Sequence, residues 1–400
     1  MTPTKCCPPG HLRERIAILE SECVDRGLDL VIVYGKGSNL GPATKSHGYM
    51  RYLCDWNGYQ NDSVLILTPG KSPVLLVAGI FLKFRADRYF WIEDTRFIKA
   101  ADTGAYLGRL CADISRPTGS IGVIGFGEMP AAAWNAFNDK VPGLELVNLE
   151  GFVDRQRLIK TDAQLGRHQA AAALCDRMFE TLRQEIKTPR PSFQLQAELE
   201  RTARYAGAEY CMTWLTVGPQ ADYCRFFNDE CERTPQPGDQ VLLGIYLMLD
   251  GHWGHAIRSG TMGRATRNQD TVFVSAQKMW EAMKQQLIPG ADLASVHQAA
   301  EDVIMGDYPA LSGQIFRFRH GHGLGHSYED PIASLSFPQA YDGGAQPQSF
   351  AAQPGMLFEL HPNLFVPELG GAAIGDMVAT LETGNRTLTN YPRDHINWLE

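Results

Sequence analysis

Residues 320–331 read HGHGLGHSYEDP. Three imidazoles, His320, His322 and His326, are separated by glycines, and the carboxylates of Glu329 and Asp330 follow. Neutral imidazole is a good ligand for Zn, Fe, Cu or Ni. With an unperturbed pKa of about 6.5 it also suits proton transfer near neutral pH, which contributes about 10²–10⁴-fold to a rate when the group is well placed. The stretch therefore reads as a strand end carrying metal ligands, as a metal-free proton-handling site, or as the remnant of either. Two other stretches hold the same residue types: DGHWGHAIRSG, with His252, His255 and Arg258, and LFELHP, with Glu359 and His361. Cys224 offers a thiol, but nothing near it in sequence argues for the lowered pKa that a nucleophile needs.

Such side chains need elements to position them. In the first 150 residues, Leu12, Ile16, Leu19 and Cys23 recur at helical spacing in GHLRERIAILESECVDRGLD, and the apolar run LDLVIVYG that follows reads as a buried strand. SVLILTPGKSPVLLVAG is two β runs split by a turn signal. AYLGRLCADI and AAAWNAFNDKV read as helices, with SIGVIGFG and LELVNLE as strands. Strands alternating with helices make an α/β domain. The texture then changes to two long amphipathic helices, the β runs DQVLLGIYLMLDG and HWGHAIRSGTMG, two more helices at 270–287 and 293–305, and a closing set of β runs. Asp250 and Gly251 supply a tight turn between the first two β runs. Helix pair, strands, helix pair, strands: the second part is duplicated in element order. The expected domains are 1–155 and 156–400.

Composition narrows the function classes. The chain has 400 residues, 44% hydrophobic and 20% charged, with a net charge of −8. This fits a soluble globular protein and disfavours nucleic-acid binding, which calls for a basic surface. Nine scattered cysteines form no CxxC pair, so neither a zinc ribbon nor a thioredoxin-like motif is expected. The start MTPTKCCPPGHLRERIAILE lacks the apolar core of a signal peptide. No apolar run reaches the roughly 18 residues of a membrane span. A reduced, cytoplasmic protein is the expectation.

The second domain resembles the family that joins creatinase, aminopeptidase P, prolidase and methionine aminopeptidase. Five blocks in order carry the resemblance: RLIKTDAQLGRHQAAAAL, PGDQVLLGIYLMLDGHWGHAIRSGTMG, HGLGHSYEDP, PGMLFELHP and GDMVATLETGNRTLTNYP. It implies a pita-bread fold, an α/β (α+β) architecture in which a creatinase-like N-terminal domain precedes a curved antiparallel sheet with internal pseudo-symmetry. It also implies a homodimer. Metal-bearing members hold two divalent ions with two Asp, one His and two Glu. Set on this sequence, the first Asp position falls on Gly244, the second on His255, and the last Glu on Gly375. Glycine has no side-chain ligand, so the resemblance implies that the usual two-ion centre cannot form. The family His position has two candidates, His322 and His326. His326 lies 33 residues before Glu359, close to the family interval, against 37 for His322. His326 is therefore expected in the ligand position with His322 as its neighbour. A further family histidine would fall on Ala333 and is absent.

Two chemistries compete. In one, His255, His322, His326 and Glu359 share acid–base work without a metal, as a creatinase-like hydrolase acting on a C–N bond. The alternative is a mononuclear Fe(II) or Zn enzyme with His255, His326 and Glu359 as ligands, performing oxidative or lyase chemistry. The cofactor expectation is thus none, or one divalent transition metal per chain. Arginine binds carboxylate bidentately, and Arg225, Arg258, Arg317 and Arg319 lie in or near the motif strands. The expected substrate is a small molecule with a carboxylate, met by Arg225 and Arg258 and walled by Tyr223, Phe226 and Trp253. For Arg258 a purely structural ion pair is at least as good a reading. A third reading, a non-catalytic pseudo-peptidase that only binds, is disfavoured because a degenerate cup has no reason to exchange Asp for His.

Overall fold

The computed structural model describes residues 9–114, 119–220, 232–335 and 350–400. The chain divides into two compact units, one running up to Arg157 together with His326–Tyr328, the other formed by Leu158–Gly325 and Glu329–Glu400.

In the first unit the helical spacing of Leu12, Ile16, Leu19 and Cys23 becomes α1 (Pro9–Asp25), with all four side chains buried. The apolar run after it is β1 (Val31–Gly35). Successive residues there feed two cores: Val31 and Val33 pack with Leu65 and Leu75, whereas Leu30, Ile32 and Tyr34 pack with Val64 and Leu76. That is why the strand reads as continuously apolar rather than alternating. Beyond β1 come α2 (Ser46–Cys54), β2 (Ser63–Leu67), β3 (Val74–Val77), α3 (Ile80–Tyr89), β4 (Asp94–Phe97), α4 (Thr103–Ile114), β5 (Ser120–Ile124), α5 (Ala131–Asn138), β6 (Glu145–Asn148) and α6 (Glu150–Leu158). The six strands form one mixed sheet in the order β4-β3-β2-β1-β5-β6, with β2 and β3 paired antiparallel as the TPGKSP signal predicts. Helices α2 and α3 were not legible. Every residue of α2 is buried, so no polar face marks its period, and α3 has only Ala86 buried.

The second unit opens with α7 (Asp162–Glu185) and α8 (Ser192–Tyr205). A capping box starts α7: Thr161 accepts from the Gln164 backbone N–H while the Gln164 side chain returns to the Thr161 backbone, an arrangement worth about 1 kcal/mol. Strands β7 (Tyr210–Gly218), β8 (Gln240–Leu249) and β9 (His252–Thr261) follow. Asp250 and Gly251 close the β8–β9 hairpin with positive φ at both positions, the backbone of a type I′ turn. Next come α9 (Arg267–Gln286), α10 (Leu293–Asp307), β10 (Gly321–Gly323), β11 (Leu357–Leu360), β12 (Asn363–Val366), β13 (Gly370–Ala373), β14 (Asp376–Thr380), β15 (Asn385–Thr387) and β16 (Ile396–Asn397). The strands form sheets β16-β9-β8-β7 and β10-β11-β14-β15, with the pair β12-β13. An antiparallel bridge between Ile257 and Gly375 ties β9 to the second of these. One core lies between α7, α8 and the first sheet, and another between α9, α10 and the second. The result is the pita-bread architecture, helices backing a curved antiparallel sheet.

Candidate active site

Strand β9 carries an ionisable side chain on each face. Residues Gly254, Ala256 and Arg258 lie toward α7: a Cβ at Gly254 would come within 2.9 Å of Ala171, and Arg258 sits over the Phe179 ring at 5.3 Å. Alternation along a strand then sends Trp253, His255 and Ile257 to the opposite face.

On that face His255 meets two other strands. In the β10–β11 ladder His322 is directly opposite Glu359, which places both side chains on one side of the sheet. His255 Nδ1 pairs with Glu359 Oε2, and His322 Nε2 lies 3.3 Å from the same oxygen. The rings of His255 and His322 are stacked, with centroids 5.6 Å apart. His361 adds a third imidazole at 5.8 Å from His255 and 5.2 Å from His322. All four residues are buried, Glu359 and His322 completely. The Nδ1–H of His322 is directed at the Gly323 carbonyl at 2.9 Å, which turns the Nε2 lone pair toward Glu359.

Burial sets the charge state. It pushes the Glu359 carboxyl well above the usual carboxylate range, and the negative charges of Asp376 and Glu329 add to that against the opposing pull of Arg319 and Arg258. Burial likewise holds His255 well below the ordinary histidine value, reinforced by His322, His361 and Arg319, and His361 is lowered for the same leading reason. Burial therefore favours a protonated Glu359 and neutral rings at His255 and His361.

The donor set fits one metal ion. One ligand atom from each of His255, His322 and Glu359 lies within 4.8 Å of the others, the one such group among the described residues, and two imidazoles with a carboxylate are a set that binds Fe(II) or Zn. Among the described residues no second group of three such ligands occurs. Gly244 and Gly375 offer no side-chain donor, and a Cβ at Gly375 would fall 2.4 Å from Glu359 Oε1 and 2.8 Å from the Ile257 backbone nitrogen. The Glu359 carboxyl fills the space that a side chain at 375 would enter.

His326, expected in the ligand position, is not in the cluster. It belongs to the first compact unit, where its ring lies 6.3 Å from Tyr52 and its backbone hydrogen-bonds His47. His322 takes the place assigned to it, because strand register and not residue count decides what faces Glu359. Arg258, expected to bind substrate, is spent internally: it donates to Asp376 Oδ1 and to the carbonyls of Ile257, Gly375, Tyr391 and Pro392, each at 2.7–2.8 Å. Trp253 shares the His255 face but is fully buried, its ring 5.4 Å from Tyr210, so it builds the wall without exposing surface to a ligand. Tyr223, Arg225 and Phe226 lie outside the described residues. Arg317 is tied to Glu301 at 2.6–3.0 Å. Arg319, which donates to Glu329 and to the Ala333 carbonyl, is the arginine of the β10 approach whose charge reaches His255, His361 and Glu359. Sequence reasoning missed Tyr246, the ring partner of His255 at 4.3 Å. The strict alternation of the β8–β9 hairpin was the signal that pairs those two positions.

The family match falls on this half of the chain. The model of metallopeptidase family M24 matches residues 166–382, a span that holds the whole cluster. The chain belongs to metallopeptidase family M24. A Bacillus subtilis (strain 168) protein named as a dipeptidase, YkvY, is 26% identical over 258 residues, 64% of this chain and 66% of that one, so the match spans just under two thirds of its length. The Xaa-Pro dipeptidase of Lactobacillus helveticus is 22% identical over 271 residues, 67% of this chain and 70% of that one. Among solved structures, the prolidase of Pyrococcus horikoshii OT3 superposes with a TM-score of 0.78 at 18% identity, covering 96% of this chain and all of that one. These family resemblances agree with the fold and with a divalent metal as cofactor. Among the described residues no helix is long and apolar enough to cross a membrane.

Proposed function

We propose that this M24 member hydrolyses a C–N bond in a small, peptide-like substrate bearing a carboxylate. Its centre would be built on His255, His322 and Glu359 and hold one divalent transition-metal ion. The convergence of those three buried donor groups within 4.8 Å carries the reading. The relatives named as dipeptidases support the bond type.

An ion bound there would polarise a carbonyl and lower the pKa of a water from about 15.7 toward about 7. The protein's own contribution is separate. As a ligand Glu359 would be ionised, so it would not also supply a proton to a leaving amine. His361, adjacent to both ligand imidazoles and outside the ligand set, is the group placed to pass that proton. Arg319, though paired with Glu329, is the arginine whose charge reaches His255 and His361 and is the candidate to meet a substrate carboxylate; Arg258 is turned to the opposite face of β9. The buried wall of Tyr246, Ile257 and Trp253 excludes water, which strengthens each of these interactions. The homodimer expected for the family belongs to the same proposal and is read by sedimentation.

The donor set is also that of mononuclear Fe(II) enzymes, which favours oxidative or lyase chemistry as the second reading. Metal analysis of the purified protein combined with product analysis on dipeptides and N-acyl amino acids separates the two. One ion per chain, lost in His255→Ala, with free amine and acid as products, is the expected result. Two ions per chain would overturn the one-ion centre, and iron with oxygen uptake and no hydrolysis would move the assignment to the second reading.

A further inference from the structure

An imidazole on a strand turns about two side-chain torsions, and few of its settings bring Nδ1 to Glu359. Two aromatic side chains restrict that freedom. Tyr246 is directly opposite His255 in the β8–β9 ladder, and the two rings stack at 4.3 Å with planes 25° apart. Trp214, opposite Gly244 on the neighbouring strand, covers Tyr246 at 4.2 Å. Tyr246 is 1% exposed, so its ring has no room to swing away.

Gly244 belongs to the same arrangement. A Cβ there would lie 3.7 Å from Trp214 Cε3 and 3.8 Å from Trp214 Cβ, ordinary contact distances, so the indole rests against the strand where a longer acidic side chain would project. The wall on this side of His255 is thus aromatic rather than acidic. A stacked ring suits an imidazole, which has a face to offer, and would do nothing for a carboxylate at the same position.

We propose that Tyr246, backed by Trp214, is a positioning residue for His255. Its ring fixes the imidazole plane so that Nδ1 stays on Glu359 and the ligand pair is set before any ion arrives. The inference rests on the assignment of His255 to the site. It concerns orientation, which outer partners of a ligand commonly control.

The test uses two readouts on the full chain: nitrogen NMR shifts of the His255 ring in metal-free protein, and a Co(II) titration followed by visible absorption. Tyr246→Phe keeps the ring, so a single His255 tautomer and Co(II) affinity within about twofold of the parent are expected. Tyr246→Leu removes it; a mixture of tautomers and Co(II) binding weaker by about tenfold or more are expected. If Tyr246→Leu does not fold, Trp214→Leu, at the partly exposed outer end of the stack, carries the test with an expected loss of about threefold. A single tautomer and parental affinity in the leucine variant that folds overturn the proposal. So does an equal loss in Tyr246→Phe, which would assign the effect to the hydroxyl. Should the parent bind no Co(II), the metal reading fails, while the tautomer measurement still decides the positioning claim.

Discussion

Arg258 and His255 are three residues apart on β9, face opposite sides of the sheet, and are each paired with a buried carboxylate, Asp376 and Glu359. Around Arg258 every donor is engaged: five hydrogen bonds fan out to one carboxylate and four carbonyls, and Asp376 also accepts from Thr389. Around Glu359 the bonding is incomplete. Oε1 has no hydrogen-bond partner among the described residues, and the neighbouring imidazoles are held neutral by burial. Asp376 Oδ2 is left with only the Arg393 guanidinium at 3.5 Å, so the difference lies on the cation: a guanidinium with every donor bonded can serve as structure. Satisfaction of hydrogen bonds, more than the presence of charge in a family motif, distinguishes the clamp from the reactive site.

The contrast can be broken or sharpened by substitution. The largest effect is expected for Glu359→Gln: a fall in turnover of about 10²–10⁴-fold, with a melting temperature of the metal-free protein close to the parent's because a protonated acid and an amide of the same shape are both neutral. Parental turnover of an identified substrate would erase the functional half of the comparison. Arg258→Met should act the other way, costing about 3–5 kcal/mol in urea unfolding by stranding Asp376. A stable Arg258→Met protein that had lost only activity would mean that the arginine works on substrate after all.

A smaller contrast separates the two histidines of the opening motif. His322→Ala should weaken metal binding by about tenfold or more, whereas His326→Ala should leave metal content intact and cost about 1 kcal/mol of stability. Metal analysis alongside thermal melts distinguishes them, and the reverse pattern would restore His326 to the ligand position.

The smallest effect belongs to a second satisfied pair. Burial alone would raise Glu301, but hydrogen bonds from His320 and Arg317 outweigh it and hold the carboxyl well below the usual range. Because folding lowers this pKa, the unfolded chain takes up the proton first on acidification. The stabilisation is therefore full above the unfolded value of about 4.3 and is lost as pH falls through the folded value. Unfolding curves between pH 5 and pH 2 should show a shallower acid limb in Glu301→Gln than in the parent, and superimposable curves would contradict the assignment.

Much of the fold was legible because local rules wrote it. The period of Leu12, Ile16, Leu19 and Cys23, the turn between β2 and β3 and the Asp250–Gly251 turn each depend on residues close in sequence. Helices α2 and α3 escaped because one is buried all round and the other almost nowhere, which removes the amphipathic contrast that reveals a helix. The site was half legible. Residues 255 and 359 were found through their places in a family pattern, but the intervals of 33 and 37 residues pointed to His326, whereas His322 is the one that meets them. Arg258 could have been set aside from its odd spacing to His255, since three steps along a strand reverse the face.

The amino-acid sequence by itself determined the inventory: imidazole at 255, a carboxyl at 359, and no side-chain ligand at 244 or 375, since a glycine cannot acquire a donor by folding. Tertiary structure alone decided which groups meet. Strand register set His322 across from Glu359, the closeness of Ile257 and Gly375 brought that carboxyl to His255, and the Tyr246 ring fell against it. These contacts join residues that are distant along the chain, and their geometry follows from pairing and packing that no local spacing encodes.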